Sequence, residues 1–304
     1  MVNRFDKKNW AVRAGKTAVT AGLCVILGWM ISQEYRQARL RKLNYMMPDE
    51  YAFLIDARDY SDPLSQARLE PYAVYFRLLT RIMPQLSEAH HLLGFCAYYQ
   101  GHEKEALRAF DEAVKINPVS FWSWYDLGMI NYLRRDWYLA AEYFQKALKT
   151  DPRHYGMVIS RSKVFSDILR SLQDPRLASP EYLRDAYQNA YQMTVMAYLH
   201  NEEYEAMQTV SLTAIKNGVN RQGRFSFYAG LASMQLKDYK VARIFLESVL
   251  QEGQKSPEVF TALSEVYREL GEDELSLKAA QAVSWAGRDA PSFLSEPELT
   301  LHVF

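Results

Sequence analysis

Residues 87–120 read SEAHHLLGFCAYYQGHEKEALRAFDEAVKINPVS, and residues 121–154 read FWSWYDLGMINYLRRDWYLAAEYFQKALKTDPRH. Laid over one another they need no gap: Leu93 falls on Leu127, Gly94 on Gly128, Ala106 on Ala140, Phe110 on Phe144, Ala113 on Ala147 and Pro118 on Pro152, every pair 34 residues apart. Six coincidences at one period mark an internal repeat, and this period is that of a helical hairpin stacked on copies of itself. Each matching residue has a physical task. Gly94 and Gly128 lie one residue past the leucines on a first helix and let a second helix come close. The four alanines keep the facing helix equally slim, and Pro118 and Pro152 end it.

With Trp124 at the fourth position of the second copy, the pair resembles the tetratricopeptide repeat (TPR), whose pattern is W-x2-L-G-x2-Y followed by A, F, A and P. The second copy departs from it at Asn131, which stands where the pattern has Tyr, with Tyr132 beside it. The first has His90 and Ala97 at the Trp and Tyr positions. The resemblance implies an all-α fold, a TPR-type helical-hairpin solenoid whose first helices line a concave surface. It further implies which residues face that surface: Glu88, His91, Phe95, Tyr98 and Tyr99 from the first copy, and Trp122, Tyr125, Met129, Tyr132 and Leu133 from the second. Fainter copies add Gln188, Tyr191, Val195, Tyr198 and Leu199 from 187–220, and Arg224, Phe227, Leu231, Met234 and Gln235 from 223–256. These side chains form an aromatic, apolar partner-binding groove for a peptide or helix of another protein. They lack the Lys/Asn/Arg set with which chaperone-associated TPRs hold an acidic C-terminus. Tyrosines at these positions also interlock neighbouring repeats, so the sequence leaves concave face and inter-repeat core both open for them.

The pattern extends outward in both directions. Residues 257–290 keep Phe260, Leu263, Tyr267 and Gly271, while Phe76, Leu79 and Pro84 stand 34 residues before their counterparts and make a partial repeat. TPR repeats are thus expected over 53–154 and, in degenerate form, over 187–290. Between them, 155–186 loses the pattern. A helical stretch at 155–172 is followed there by Asp174-Pro175 and by Ser179-Pro180, a good N-cap and first position for a long helix. Residues 291–304 form a tail.

Ahead of the repeats, residues 17–32 read TAVTAGLCVILGWMIS without a charge, between the basic segment 1–16 and the basic juxtamembrane linker 33–52. A helix of this length spans about 24 Å against a hydrocarbon core of roughly 30 Å, which Trp10 to Val12 and snorkelling Arg13 and Lys16 extend. No small-residue cleavage site follows, so the expectation is an uncleaved signal anchor, a single transmembrane helix. Basic residues flank it on both sides, with a slight upstream excess. That points to a single-pass membrane protein with its soluble domain on the non-cytosolic, periplasmic or lumenal side.

The whole chain has 36 basic and 36 acidic residues. Residues 1–42 hold nine Lys/Arg against two acids, leaving 27 against 34 in the remainder. The soluble part is therefore acidic, which speaks against nucleic acid as a partner. No phosphate-binding glycine loop, nucleophile elbow or H-E-x-x-H motif occurs, and His90 and His91 are adjacent, which is the wrong spacing for a helical zinc site. Neither an enzymatic activity, nor a cofactor, nor a metal is expected. The function these observations point to is a membrane-anchored scaffold or adaptor that supports assembly of a membrane-associated complex. The alternatives are an accessory or regulatory subunit of a membrane enzyme and a carrier of a small apolar ligand such as a lipid or pigment. An import-type or fission-type receptor with its solenoid in the cytosol keeps the same architecture.

Overall fold

The computed structural model describes residues 4–44, 63–152, 180–286, 292–295, 299 and 301. Expectations made above for residues 45–62 and 155–179 lie outside the described residues. Within them the chain is helical: α1 (Arg4–Asn44), α2 (Pro63–Ile82), α3 (Ser87–Tyr99), α4 (Glu103–Ile116), α5 (Phe121–Leu133), α6 (Trp137–Leu148), α7 (Pro180–His200), α8 (Tyr204–Lys216), α9 (Arg224–Gln235), α10 (Tyr239–Gln251), α11 (Pro257–Glu269) and α12 (Asp273–Val283), with one short 3-10 turn at Arg221–Gly223. From α2 onward each helix packs on the next in chain order, α6 on α7 included. The products are five stacked hairpins, α3–α4 through α11–α12, with α2 covering the open end of the first.

The hairpins form for the reason the repeat implies. A Cβ added at Gly94 would lie 2.9 Å from the Phe110 ring, and one at Gly128 only 2.7 Å from Phe144, so hydrogen is the only side chain that fits. Ala106, Ala113, Ala140 and Ala147 are all fully buried on the facing helices. The same device recurs at Gly230, where an added Cβ would meet Leu246 at 2.7 Å. In the last hairpin serines replace it, with the Ser276 hydroxyl donating to the Ser264 carbonyl at 2.8 Å and the Ser264 hydroxyl to the Ser276 carbonyl at 3.1 Å.

Each turn between the two helices of a hairpin needs one residue in the left-handed region, supplied by Gly101, Arg135, Glu202, Lys237 and Gly271. Those residues reveal a difference from the sequence frame. Glu202 follows Arg135 by 67 positions and precedes Lys237 by 35, so the third hairpin runs in the frame 188–221, one residue later than the 187–220 expected. In that frame Tyr191 and Tyr198 occupy the Trp and second Tyr positions of the repeat pattern. Val195 stands at the glycine position and Ser211 at the phenylalanine position, both fully buried. Volume has moved from one helix to the other while the interface between them stays filled.

The described part of the expected juxtamembrane linker is not a separate element. Residues 33–44 continue α1 without a break, because they contain no Gly or Pro and are mostly strong helix formers. Along α1, Val19, Leu23, Val25, Ile26, Leu27, Trp29, Met30 and Ile31 are each more than half exposed. Among the described residues, no helix is long and apolar enough to cross a membrane, so the fold does not by itself support the span expected at 17–32.

Candidate functional site

The first helices of the hairpins, α3, α5, α7, α9 and α11, carry the side chains assigned to the concave face. Among them, Phe95, Trp122, Tyr125, Met129, Tyr132, Tyr191, Tyr198 and Phe227 are buried. Tyr98 and Tyr99 are half-buried. Three kinds of neighbour account for this. Tyr125 lies in the core of the second hairpin, stacked on Phe121 with centroids 6.1 Å apart and edge-on to Phe144 at 5.3 Å. Tyr132 meets Trp137 at 4.8 Å and His200 at 5.8 Å, which ties α5 to α7. Tyr191 and Tyr198 are committed to the rest of the solenoid, accepting hydrogen bonds from Asn217 at 2.8 Å and Gln145 at 2.7 Å. These rings interlock hairpins, so among the described residues assigned to the face Tyr98, Leu133 and Leu231 stand partly open.

Phe227 is covered differently. A segment after the last hairpin, described at Ser292–Ser295, Leu299 and Leu301, lies against the first helices, with a turn at Phe293 and Leu294. At its start the Phe293 amide donates to the Glu258 carboxylate at 2.8 Å, and the Ser292 hydroxyl donates to the same carboxylate. The Phe293 ring stacks on Phe227 with centroids 4.9 Å apart, beneath the Arg224 guanidinium at 5.8 Å from its centre. Tyr228 donates its hydroxyl to the Phe293 carbonyl at 2.6 Å. Burial pushes the Tyr228 phenol up from its ordinary value, which keeps the proton this bond requires. Further along, Gln192 donates to the Ser295 carbonyl at 3.4 Å, and the Leu301 amide donates to the Tyr99 hydroxyl at 3.1 Å. Phe293 and Leu301 are 1% and 5% exposed, which marks them as seated anchors.

The contacted residues come from α11, α9, α7 and α3, all first helices. Glu258 and Arg224 hold the second position of their hairpins and Gln192 and Phe227 the fifth, once the third hairpin is counted from residue 188. Reading the third copy from 187 put Tyr191 in the place that Gln192 holds, and so missed it. Glu258, Tyr228 and Phe293 were missed as well. The signal available for Phe293 was a Phe-Leu pair in an otherwise polar segment between Pro291 and Pro297.

At the other end, Glu88 is buried at the second position of the first hairpin, with Oε2 making no hydrogen bond among the described residues. Burial pushes its carboxyl up to about 7. His91, also buried, bonds the Ser123 hydroxyl at 3.1 Å and lies 3.9 Å from the Asp126 carboxylate. Cys96 is fully buried, and that burial raises its thiol well above the ordinary value, which makes it unreactive. No group of three or more His, Cys, Asp or Glu that could hold a metal occurs among the described residues. What the arrangement offers chemically is a surface that hydrogen-bonds peptide backbone and buries the Phe293 and Leu301 side chains.

Residues 87–118 and 121–154 match the family model of the tetratricopeptide repeat. Human tetratricopeptide repeat protein 6 is 29% identical over 69 residues, which are 23% of this chain and 13% of that protein. Among solved structures, YrrB, a TPR protein with an unusual peptide-binding site, superposes with a TM-score of 0.50 at 12% identity, covering 70% of this chain and 93% of its own. Pseudomonas aeruginosa pilF covers 84% of this chain and 92% of its own at 12% identity, with a TM-score of 0.42. The chain carries TPR repeats, and its fold is an all-α TPR-type solenoid.

Proposed function

We propose that this TPR chain is a membrane-anchored scaffold or adaptor that binds a protein partner through its concave face and supports assembly of a membrane-associated complex. The observation that carries the reading is that the first-helix face bonds peptide backbone, that of Phe293, Ser295 and Leu301, at Glu258, Tyr228, Gln192 and Tyr99. Backbone bonding gives affinity, and side-chain seats such as that of Phe293 give selectivity. YrrB, which shares the fold, is a protein with a peptide-binding site.

Attachment to the membrane through residues 17–32 belongs to the same proposal. It is supported by the apolar side chains that α1 exposes around its circumference. Burying one of them in lipid is worth roughly 1.5–3 kcal/mol. The basic flanks would meet headgroups at both ends, and tethering raises the effective concentration for other membrane-bound proteins. The slight upstream excess of positive charge favours the orientation with the solenoid on the periplasmic or lumenal side.

Partner capture is tested with the half-exposed concave residues, since changing Tyr125 or Trp122 would break the core. A Tyr98→Ala/Leu133→Ala/Leu231→Ala chain should lose at least about ten-fold in partner recovery from cross-linked membranes, a loss of roughly 1.4 kcal/mol, with its helical circular dichroism unchanged. Full recovery would remove the concave face as the binding surface. Protease protection of the solenoid in intact cells or organelles tests the orientation, and digestion from the cytosolic side would reverse it.

A further inference from the structure

Phe293 enters a cradle made by Phe227, Tyr228, Arg224 and Glu258, and every polar group of its backbone is met there. The amide goes to a carboxylate at 2.8 Å and the carbonyl to a phenol at 2.6 Å, while the ring lies against another ring at 4.9 Å. A loop that merely lies on a surface does not satisfy donor, acceptor and side chain together. Such threefold matching is how a groove recognises a peptide with an aromatic anchor. The second seat, where Leu301 is buried with its amide on Tyr99, lies eight residues on and at the opposite end of the solenoid.

We propose that the Phe227–Tyr228–Arg224–Glu258 cradle is a specific site for a peptide turn with a phenylalanine anchor, and that this chain's own Ser292–Ser295, with Leu301 in the second seat, is its resident, displaceable occupant. This deepens the scaffold reading and rests on it for the existence of a partner, though not for the seating of the tail. The partner is a segment that repeats the chemistry of the tail, a small hydroxyl residue followed by Phe-Leu, with an aliphatic residue about eight positions later. It competes with an intramolecular ligand. The apparent affinity of the free chain is therefore its intrinsic affinity reduced by the fraction of time the groove stands empty. A partner has to present the same anchor at high local concentration, which a shared membrane supplies. Arg224 over the ring and Glu258 beneath the amide set the polarity of the bound segment, because only one chain direction places an N–H on the carboxylate and a C=O on the Tyr228 hydroxyl.

The test uses the full-length chain in detergent and a fluorescein-labelled peptide of residues 289–304. Wild-type chain is expected to bind this peptide weakly. A Phe293→Ala/Leu301→Ala chain, whose own tail has lost both anchors, is expected to bind it at least about ten-fold more tightly. Peptide carrying the same Phe293→Ala change is expected to show no binding to either chain. Equal binding to both chains, binding that ignores the peptide's phenylalanine, or no binding to the anchor-less chain would each overturn the proposal. If the double variant loses its helical circular dichroism, Glu258→Gln replaces it. Faster exchange of the Phe293 amide in that variant supports the seat, and unchanged exchange overturns it. Loss of peptide binding with partner recovery intact removes this site and leaves the scaffold reading standing. Loss of partner recovery with peptide binding intact does the reverse.

Discussion

The second and third hairpins, α5–α6 and α7–α8, have the same shape and opposite packing. In the second, Gly128 yields to Phe144, with room for nothing beyond hydrogen at the glycine. In the third, the corresponding places are held by Val195 and Ser211, both fully buried. A helical hairpin of this kind therefore requires that the two sides of the interface sum to one volume, and it does not require glycine.

The comparison can be broken directly. Phe144→Ser should cost about 3–5 kcal/mol by leaving a cavity beside Gly128. Gly128→Val should cost about 1–3 kcal/mol or more by overpacking against Phe144. Made together, the two changes transplant the pairing of the third hairpin into the second, so the double variant should be more stable than the sum of the single losses predicts. A coupling of about 0.5–3 kcal/mol in a denaturant double-mutant cycle is expected. Strict additivity would show that the two positions do not share a volume.

A second contrast sets Glu88 against Glu258, carboxylates at the second position of the first and last hairpins. Glu258 accepts from the tail. Glu88 is buried, with one oxygen making no hydrogen bond among the described residues, and its carboxyl is raised from 4.5 to about 7. A folded value above the unfolded one means the native state holds the proton longer. Stability is therefore complete below the unfolded value, falls as pH rises through the window between the two, and levels off above the folded value. Glu88→Gln should abolish that fall and gain ~2–3 kcal/mol over wild type on the alkaline side. Urea melts across the window check it, and parallel pH profiles for variant and wild type would show that Glu88 is not the titrating group.

The smallest effect concerns the outer helices. Arg77 on α2 makes two bonds to Glu105 on α4, at 2.9 and 3.1 Å, and the pair holds the Glu105 carboxyl below its ordinary value. Both side chains are about a third exposed, so solvent screening limits Arg77→Ala to about 0.5–1 kcal/mol. Because Glu105 is lowered, that difference is present above its unfolded value and disappears as pH falls through the folded one. A loss that persisted in strong acid would point to packing of the arginine stem instead.

How much of this lay open in the sequence follows from which residues advertise their role. Gly94, Gly128, Phe110 and Phe144 do so, because a glycine opposite a phenylalanine has few other uses on an amphipathic helix. The start of α7 at Pro180 was equally open, since proline punctuates helices on its own. Val195 and Ser211 satisfy the same volume with residues that occur everywhere, and the one-residue slip in the third hairpin went unseen with them. That slip moved Tyr191 and Tyr198 from the expected groove into the packing between helices. The tail was closed to sequence reading for another reason. Phe293 belongs to no period, and its role depends on four residues up to 66 or 69 positions earlier in the chain, Phe227 and Arg224 among them.

The central claim, that the concave face is a peptide site with the chain's own tail seated in it, is tested most directly by amide hydrogen exchange on the full-length protein. Phe293 and Leu301, whose amides are held by Glu258 and Tyr99, should exchange at least about a hundred-fold more slowly than an unstructured chain. Added partner peptide should accelerate both amides together. Exchange of these two amides at unstructured rates in the absence of any peptide would contradict the account.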